Sequence, residues 1–286
     1  MQLSERPKAG HAVLYSSHIK YKQGVEIMLG ALSGDIIGSI YERRNIKTKD
    51  FPLFSSNCRI TDDTVMTIAI AEGLMNGGKS DDYINAMKRL GRMYPKAGYG
   101  GRFKDWLRSD SRMPYNSWGN GSAMRVSPIG WYFNSLDETE KAAEVSASVT
   151  HNHPEGIKGA KATASAIFLS RTGKAKTETK AYIEKTYGYD LTRTLNEIRP
   201  SYSFDGSCQG TVPEAIIAFL ESIDFEDAIR NAISLGGDSD TLAAITGSIA
   251  EAAYGIPKEI EEKVMSMLPQ PLLEIVNLWR ERTCEP

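Results

Sequence analysis

A chain of 286 residues that is 41% hydrophobic and 24% charged is long enough to bury a substantial core, and its composition is close to that of an average globular protein. Its formal net charge of −2 gives no electrostatic reason to expect stable binding to nucleic acid or to an acidic lipid surface. Three cysteines without CxxC spacing suit a reducing compartment better than a disulfide framework.

The first residues of the chain, 1–24, carry no apolar run of the kind that marks a signal peptide. The longest apolar stretch, "VEIMLGALSGDIIGSIY", is interrupted by Glu26, Asp35 and three glycines, so it is too short and too polar to span a bilayer. We therefore expect a soluble cytoplasmic protein with no membrane partner. Residues 1–24 lie before the first helical motif and are expected to form an N-terminal extension, or to result from an upstream start.

Helical periodicity recurs along nearly the whole chain. The segments that show it are, in order, "GALSGDIIGSIYE", "VMTIAIAEGL", "SDDYINAMKRLGRMY", "LDETEKAAEVSASVT", "PEGIKGAKATASAIFLSRTG", "TKAYIEKTYG", "VPEAIIAFLES", "DFEDAIRNAISLGG", "PKEIEEKVMSML" and "LLEIVNLWRER". Ser80 is expected to cap a helix, and Pro154, Pro213 and Pro257 stand where first helical turns are expected. Because no β-branched alternation and no internal repeat interrupts the pattern, it predicts a single all-α domain over residues 25–286.

Two stretches break the helical pattern. Residues 95–121 hold glycines, aromatic residues and small polar groups, with room for one short helix, and residues 199–212 have a similar composition. Long loops between the helices of a compact domain are more often functional than idle. Both loops are therefore candidates for function.

Two acidic motifs, "TDDT" at residues 61–64 and "GGDSDT" at residues 236–241, each open an apolar helical segment. A Thr or Asp there can cap a helix, and acids in the first turn complement the helix dipole, so capping alone is an ordinary explanation. Capping needs one side-chain oxygen, however, and not several carboxylates with flanking hydroxyls. Helices that are apolar on almost all sides place these acids near the core, where a divalent cation would relieve the cost of unpaired carboxylates. Such oxygen ligands favour Mg²⁺ or Mn²⁺ over Zn²⁺, and two acidic clusters could hold two ions.

The segment "GALSGDIIGSIYE", residues 30–42, has a glycine at every fourth position, which forms a smooth stripe where another helix can approach closely. Asp35 and Glu42 are seven residues apart, so a continuous helix would place them on one face. Asp35 could equally bond to a neighbouring backbone, and Glu42 could be a solvated helix end. Both interpretations stay open from the residues alone.

Residues 116–128, "NSWGNGSAMRVSP", place Gly119 and Gly121 before a helix-like run, where backbone N–H groups could form a nest for phosphate. Trp118 could stack on a base beside that nest, or it could cover the edge of the core. The segment "THNHPEG", residues 150–156, carries half of the four histidines of the chain. We expect one of these two histidines to bind a ligand and the other to cap its helix.

Taken together and in this order, five segments resemble the ADP-ribosylglycohydrolases, the family of dinitrogenase-reductase-activating glycohydrolase and the animal ADP-ribosyl-acceptor hydrolases. They are "GALSGDIIGSIYE", "TDDTVMTIAIAEGL", "SWGNGSAMRVSP", "THNHPEG" and "GGDSDTLAAITGSIAEAAYG", within roughly residues 27–270. The resemblance implies a compact all-α fold around two divalent cations, Mg²⁺ or Mn²⁺. It also implies removal of ADP-ribose from Arg, Ser or another acceptor. The motifs look like those of bacterial members, and they do not identify the acceptor.

The resemblance also assigns roles to individual residues. The implied metal ligands are Thr61, Asp62, Asp63, Asp238, Asp240 and Thr241. The residues implied to hold ADP-ribose are Ser117, Trp118, Gly119, Asn120, Gly121 and His151, with Trp118 beside adenine. Glu42 matches a glutamate next to the metals that is catalytic in some branches of the family.

The expected reaction is hydrolysis at the anomeric carbon of the distal ribose of an ADP-ribosylated protein or other ADP-ribosyl conjugate, with free ADP-ribose as product. The ions would hold the ribose hydroxyls and lower the pKa of the attacking water. Asp62 or Asp63 would orient that water while Glu42 handles the proton of the leaving group, or these roles would be exchanged.

Two other functions fit parts of the pattern. A prenyl-diphosphate synthase also uses two acidic motifs in an all-α fold, but it needs DDxxD spacing within a helix, which this chain lacks at both motifs. A non-catalytic ADP-ribose-binding or structural member of the family would keep the ligand positions without turnover. Release of ADP-ribose from a modified peptide in the presence of Mg²⁺ or Mn²⁺ distinguishes these functions.

Overall fold

The computed structural model describes residues 28–283, so the predicted extension at residues 1–24 lies outside the described residues. Within the described range the chain forms fifteen α-helices and no strand, only an isolated β-bridge between Gly119 and Ser207. The helices are α1 (Leu29–Gly38), α2 (Asp62–Met75), α3 (Ser80–Met93), α4 (Gly101–Arg108), α5 (Gly121–Met124), α6 (Ser127–Tyr132), α7 (Leu136–Ser148), α8 (Pro154–Arg171), α9 (Lys176–Tyr187), α10 (Leu195–Ile198), α11 (Cys208–Leu220), α12 (Phe225–Ile233), α13 (Ser239–Tyr254), α14 (Lys258–Met267) and α15 (Gln270–Thr283). The prediction of a single all-α domain is confirmed.

The helices α1 and α13 lie at the centre of the fold, where their backbones touch. A Cβ atom on Gly30 would lie 2.2 Å from the carbonyl oxygen of Gly247, and one on Gly34 would lie 2.0 Å from the carbonyl oxygen of Ala243. These distances are far below van der Waals contact, so neither position accepts a side chain. The close helix approach predicted from the glycine stripe is confirmed, and every residue of α1 is buried.

Around this central pair, α13 also packs against α8, α11 and α12, while α2 packs against α3 and α15. The end of α1 meets the start of α13, because a Cβ atom on Gly38 would lie only 2.6 Å from the Cα atom of Asp240. α1 also packs against α2, so α1 contacts both helices that begin with acidic motifs. None of the described helices is long and apolar enough to cross a bilayer.

One predicted helix is shorter than expected. The segment 30–42 does not stay helical, because α1 ends at Gly38. The Ser39 hydroxyl donates to the carbonyl of Ile36 at 2.8 Å, and Tyr41 N donates to the carbonyl of Gly38 at 2.8 Å, so local bonds replace the next helical turn. The prediction that Asp35 and Glu42 share a helix face is therefore wrong.

Predicted helix starts were correct where a cap lies next to the first turn. Pro154 is the first residue of α8, and the ring of His153 caps that helix by accepting from the N–H of Glu155 at 3.1 Å, as expected for one of the two histidines. Pro213 was placed wrongly in a first turn. It lies inside α11, which begins five residues earlier because the Ser207 hydroxyl caps it by accepting from the N–H of Gly210 at 3.1 Å.

Smaller differences of one residue occur at two other starts. Ser80 is the first residue of α3 and not its cap, which is Lys79. Pro257 precedes α14 as its N-cap residue. Helix boundaries commonly shift by one residue with local hydrogen bonding, and neither difference alters the packing.

Candidate active site

The starts of α2 and α13, the chain just after α1 and the two predicted loops surround one cavity of about 470 Å³. All the residues that the sequence marks as site residues line this cavity except Trp118: Glu42, Thr61, Asp62, Asp63, Ser117, Gly119, Asn120, Gly121, His151, Asp238, Asp240 and Thr241. The fold therefore brings motifs from distant parts of the chain to one place.

The carboxylates of the two acidic motifs form a cluster in this cavity. One carboxylate oxygen from each of Asp35, Asp63 and Asp240 lies within 4.8 Å of the other two. Asp238 is buried as well, and Asp62 keeps part of its surface open to the cavity. Asp35 is a member that sequence reasoning did not assign to the site. Its only sequence signal was an acid inside an otherwise apolar helix.

Asp35 holds the first acidic motif in place. Its carboxylate accepts hydrogen bonds from Thr61 N at 2.9 Å, from Thr61 Oγ1 at 2.6 Å and from Thr64 N at 3.0 Å. Thr61 also caps α2, since its Oγ1 accepts from Asp63 N at 3.3 Å. Because the Thr61 hydroxyl gives its proton to Asp35, a lone pair of Oγ1 stays free to face a cation.

Two asparagines hold the second acidic motif. Asn120 Nδ2 donates to Asp238 Oδ2 at 2.7 Å, while Asn45 accepts from Gly237 N at 2.8 Å and donates to Gly237 O at 2.9 Å. Gly236 and Gly237 have φ values of +72° and +70°, a left-handed conformation that favours glycine. Asp238 precedes α13, yet its side chain makes no capping hydrogen bond. Helix capping therefore explains Thr61 but not Asp238.

Burial and mutual repulsion raise the pKa values of the clustered carboxyl groups. Burial, followed by the charge of Asp35, raises the pKa of Asp62 to about 7. The pKa values of Asp63 and Asp240 lie well above the ordinary value, first because of burial and then because of neighbouring carboxylates. Burial also raises the pKa of Asp35 and of Asp238, against the hydrogen bonds that each accepts. Burial and mutual repulsion are therefore the main influences on these five acids, which lie in one place.

The donor atoms of this cluster fit a divalent cation. Asp63 Oδ1 is buried and has no hydrogen-bond partner among the residues that the structure describes, which is costly unless the oxygen binds a cation. The hydroxyl oxygens of Thr61 and Thr241 lie 3.2 Å and 3.3 Å from the other oxygen of Asp63. Carboxylate and hydroxyl oxygens without sulfur or nitrogen ligands favour hard ions such as Mg²⁺ or Mn²⁺.

The segment 117–121 reaches the cavity because it is bonded to the second predicted loop. Asn120 N donates to the carbonyl of Gly206 at 2.9 Å, and Gly119 N donates to the hydroxyl of Ser117 at 3.1 Å. Two of the N–H groups that a phosphate nest would use are therefore already bonded within the protein. The nest expected from the glycines has fewer free donors than the sequence indicated.

His151 is buried beside this segment. Its Nδ1 lies 2.8 Å from the hydroxyl oxygen of Thr150. The same oxygen accepts a hydrogen bond from Arg125 Nη2 at 2.9 Å. Burial, and then the charge of Arg125, lower the pKa of His151 well below its ordinary value, so the imidazole is neutral at pH 7. A Cβ atom on Gly121 would lie 3.1 Å from His151 Nε2, so a glycine at this position keeps that nitrogen accessible.

Trp118 lies outside the cavity lining. Its side chain is 49% exposed, and its ring meets the ring of His153 edge-on with 5.7 Å between the centroids. The aromatic residues that do line the cavity are Phe103, Tyr115 and Phe204, of which Phe204 is 60% exposed. Sequence reasoning singled out none of them, although all three lie in the two loops marked by their composition. The position of Trp118 beside adenine stays a prediction.

The fold and the cavity define a class: an all-α protein in which a buried carboxylate cluster, able to hold a divalent cation, opens into a cavity of the size that small-molecule ligands occupy. A family model described as ADP-ribosylglycohydrolase matches residues 18–285. The chain therefore belongs to the ADP-ribosylglycohydrolase family, and it is an enzyme of the glycosidic hydrolase type. The resemblance read from the five motifs is confirmed.

Individual relatives agree with this assignment. The chain is 26% identical to the ADP-ribosylhydrolase ARH3 of Gallus gallus over 342 residues, which cover 90% of this chain and 92% of the relative. It is 29% identical to the ADP-ribosylarginine hydrolase Tri1 of Pseudomonas putida (strain GB-1) over 274 residues, which cover 83% and 72%. A solved structure described as "ADP-ribosylglycohydrolase-related protein complex" shares the fold, with a TM-score of 0.67 at 24% identity over 91% of this chain and 97% of that chain.

Proposed function

We propose that this protein hydrolyses the bond between the anomeric carbon of ADP-ribose and its acceptor, and so releases free ADP-ribose from a modified protein side chain or another ADP-ribosyl conjugate. One observation carries the proposal: the acidic cluster and the segment 117–121 line the same cavity. The acids alone would suit many metal-dependent enzymes, and the loop alone would suit many nucleotide-binding proteins. Together they suit hydrolysis of a glycosidic bond in a substrate whose ribose is attached to a nucleotide.

The metal ligands of the proposal are Thr61, Asp62, Asp63, Asp238, Asp240 and Thr241, which would hold two divalent cations, Mg²⁺ or Mn²⁺. Such cations, when bound, orient the hydroxyls of the ribose and lower the pKa of the attacking water. The chain itself orients the ligands. Asp35 accepts the hydroxyl proton of Thr61 and so fixes the orientation of that hydroxyl, and Asn120 holds the carboxylate of Asp238.

The acid and base of the reaction belong to the same part of the cavity. We propose that Glu42 handles the proton of the leaving group while Asp62 or Asp63 orients the water, or that these roles are exchanged. Although Glu42 does not lie on α1, its carbonyl accepts from Asn45 Nδ2 at 2.9 Å, and Asn45 also holds the second acidic motif. Nearby carboxylates would stabilise the positive charge that develops on the ribose in the transition state.

The other part of the cavity is proposed to bind the ADP portion of the substrate. Ser117, Gly119, Gly121 and His151 present small polar groups and accessible backbone there. The Nδ2 group of Asn120 is already engaged by Asp238 and by the hydroxyl of Thr211 at 3.1 Å, which leaves its carbonyl oxygen for a ligand. Trp118 remains the proposed stacking partner for adenine.

The acceptor is best identified by direct turnover. Peptides bearing ADP-ribose on Arg or on Ser, and a DNA end bearing ADP-ribose, would each be incubated with the enzyme in Mg²⁺, in Mn²⁺ and in EDTA, with free ADP-ribose measured. Metal-dependent release from at least one of these substrates is the expected result. Release from none of them in either metal would contradict the proposal.

A matched pair of variants controls this experiment. Asp238→Asn alters the cluster at constant size, and we expect it to lose most of the activity. Asp224→Asn is the control, because Asp224 caps α12 by accepting from Asp227 N at 2.7 Å and does not line the cavity. Asn caps helices about as well as Asp, so this variant should keep full activity.

A further inference from the structure

Arg125 is a buried positive charge that neither the motifs nor the proposed reaction uses. Its side chain is 1% exposed, and burial lowers its pKa to about 10, so it is still charged at neutral pH. Nη2 donates to Thr150 Oγ1 at 2.9 Å and to the carbonyl of Ser146 at 3.3 Å, whereas Nε has no partner in the described part of the chain. All its hydrogen-bond acceptors in residues 28–283 are thus neutral. A charge buried in this way next to a cavity calls for a functional explanation.

The hydrogen bonds of Arg125 continue through Thr150 to His151. The oxygen of the Thr150 hydroxyl accepts from Arg125, and the same oxygen lies 2.8 Å from His151 Nδ1. The hydroxyl has one proton, and His151 Nδ1 is the acceptor that lies within hydrogen-bond distance of it in residues 28–283. Only donation from Thr150 to Nδ1 leaves no buried hydroxyl proton unpaired. Nδ1 is then the acceptor nitrogen of a neutral imidazole, and Nε2 carries the proton.

The other protonation states of His151 fit the surroundings less well. A proton on Nδ1 would turn the Thr150 hydroxyl proton away from its acceptor. An imidazolium would place a second positive charge in a buried site beside Arg125, with Arg102 also contributing repulsion. Tyr115 packs on the ring with 5.9 Å between the centroids and offers no carboxylate to compensate.

The protonated nitrogen faces the cavity. His151 Nε2 makes no hydrogen bond with any residue from 28 to 283, and it lies beside Gly119 and Gly121, where Cβ atoms would approach within 3.6 Å and 3.1 Å. No group in residues 28–283 accepts a hydrogen bond from this N–H, so an oxygen atom of a bound ligand can accept it.

We propose that Arg125 and Thr150 are positioning residues that hold His151 as a neutral imidazole with its proton on Nε2, ready to donate to a diphosphate oxygen of the bound ligand. The ligand part of this inference rests on the proposed function. A diphosphate would also balance the positive charge of Arg125, which the protein leaves uncompensated. The Arg125–Thr150–His151 chain thus supplies to the ligand a directional donor and a nearby charge.

The protonation state can be measured directly in the wild-type enzyme. The experiment is a long-range ¹H–¹⁵N NMR spectrum of protein labelled with ¹⁵N-histidine at pH 7 without ligand, in which His151→Gln assigns the signals among the four histidines. We expect a neutral ring with the proton on Nε2. A proton on Nδ1, or an imidazolium, overturns the proposal. The measurement is made on the wild-type protein, and the variant His151→Gln serves only to assign its signals.

Two substitutions at Thr150 then test the relay, by which we mean the hydrogen bonds from Arg125 through Thr150 to His151. Thr150→Val removes the hydroxyl at nearly constant size, so we expect mixed tautomers of His151 and an increase in the Kd for ADP-ribose of about three- to tenfold. Thr150→Ser keeps the hydroxyl and should retain the wild-type tautomer and affinity. Wild-type tautomer and affinity in Thr150→Val would overturn the role of Thr150.

A control variant separates this effect from the general cost of altering a buried threonine. Thr163 is buried in α8, and its hydroxyl has no partner within the described residues, so Thr163→Val should change neither the NMR spectrum of His151 nor the affinity. Titration of the wild type with ADP-ribose keeps the two hypotheses distinguishable. The expected tautomer without any binding overturns the ligand assignment and the proposed function, whereas binding with a different tautomer overturns the relay alone.

Discussion

The cavity has walls of two different kinds. One wall consists of helix starts, where Asp63 and Asp240 lie in the first turns of α2 and α13, and α13 is held by direct backbone contact with α1. The other wall consists of loops, in which Asn120 is bonded through its backbone to Gly206 and the aromatic ring of Phe204 is largely exposed. The first wall is buried and carries several negative charges, whereas the second is more open and combines neutral donors with the positive charges of Lys96, Arg102 and the buried Arg125.

This difference matches the demands of the two tasks. Cation ligands must be held within a few tenths of an ångström, and rigid helix starts supported by further hydrogen bonds achieve this better than loops. A nucleotide is held by many weaker contacts, so a loop wall tolerates the loss of one of them. We therefore expect substitutions in the helix-start wall to abolish turnover, and substitutions in the loop wall to weaken binding moderately.

The largest expected effect tests whether the helix-start wall works as one unit. Asp62→Asn and Asp238→Asn should each lower kcat/KM by about 10⁴-fold or more, and the double variant should be little worse, because residues that act together are not additive. Thermal melting with and without Mn²⁺ provides a second measurement: the rise in Tm on adding metal should disappear in both variants. Full activity in EDTA, or in either single variant, would contradict the hypothesis that the two acidic motifs act as one metal-binding unit.

A substitution at Glu42 tests whether the acidic side of the cavity contains a group that transfers a proton in the reaction and does not contribute mainly to binding. Glu42→Gln keeps the shape of the side chain and removes its ability to transfer a proton, so kcat should fall by about 10²–10⁴-fold. The Kd for ADP-ribose, measured at saturating Mg²⁺, should change far less. Equal losses of rate and affinity would place Glu42 among the binding or metal-supporting residues, and a normal rate would remove it from the mechanism.

A backbone substitution tests whether the position of the second acidic motif matters apart from its charges. In Gly237→Ala a Cβ atom would lie 2.7 Å from Tyr202 Cε1 at a φ of +70°, so we expect a loss of about 1–3 kcal/mol in the free energy of unfolding. The acids stay intact, yet the affinity for Mn²⁺ measured by calorimetry should fall severalfold. Gly173→Ala is the control, because its φ is +82° with open space around it and it lies outside the cavity lining. That variant should lose stability without losing metal affinity.

The last prediction concerns the loop wall. Trp118→Ala should weaken ADP-ribose binding about tenfold, since stacking of an aromatic side chain on a base contributes roughly 1–3 kcal/mol. Phe204→Ala is the informative comparison, because Phe204 lines the cavity and Trp118 does not. Calorimetry on folded variants decides between them. Unchanged affinity in Trp118→Ala with weaker binding in Phe204→Ala would transfer the stacking role to Phe204.

Much of the fold was predictable because its signals are local. Helical periodicity located the long helices, and caps such as Thr61 and His153 act within three residues of the helix that they start. The errors arose where a nearby side chain competed with the helix. The Ser39 hydroxyl bonds to a carbonyl at the end of α1, and the Ser207 hydroxyl starts α11 before Pro213.

The sequence by itself marked twelve of the residues that line the cavity, because they belong to ordered motifs with carboxylates, glycines and a histidine, but it did not mark Asp35, Tyr115 or Phe204. Tertiary structure alone decided how these residues are held. Asp35 bonds to Thr61 across 26 positions, Asn120 to Asp238 across 118, and Asn45 to Gly237 across 192. The partner of a buried polar group is whichever group the packed helices bring within about 3 Å, so these contacts depend on the complete fold and on no local pattern.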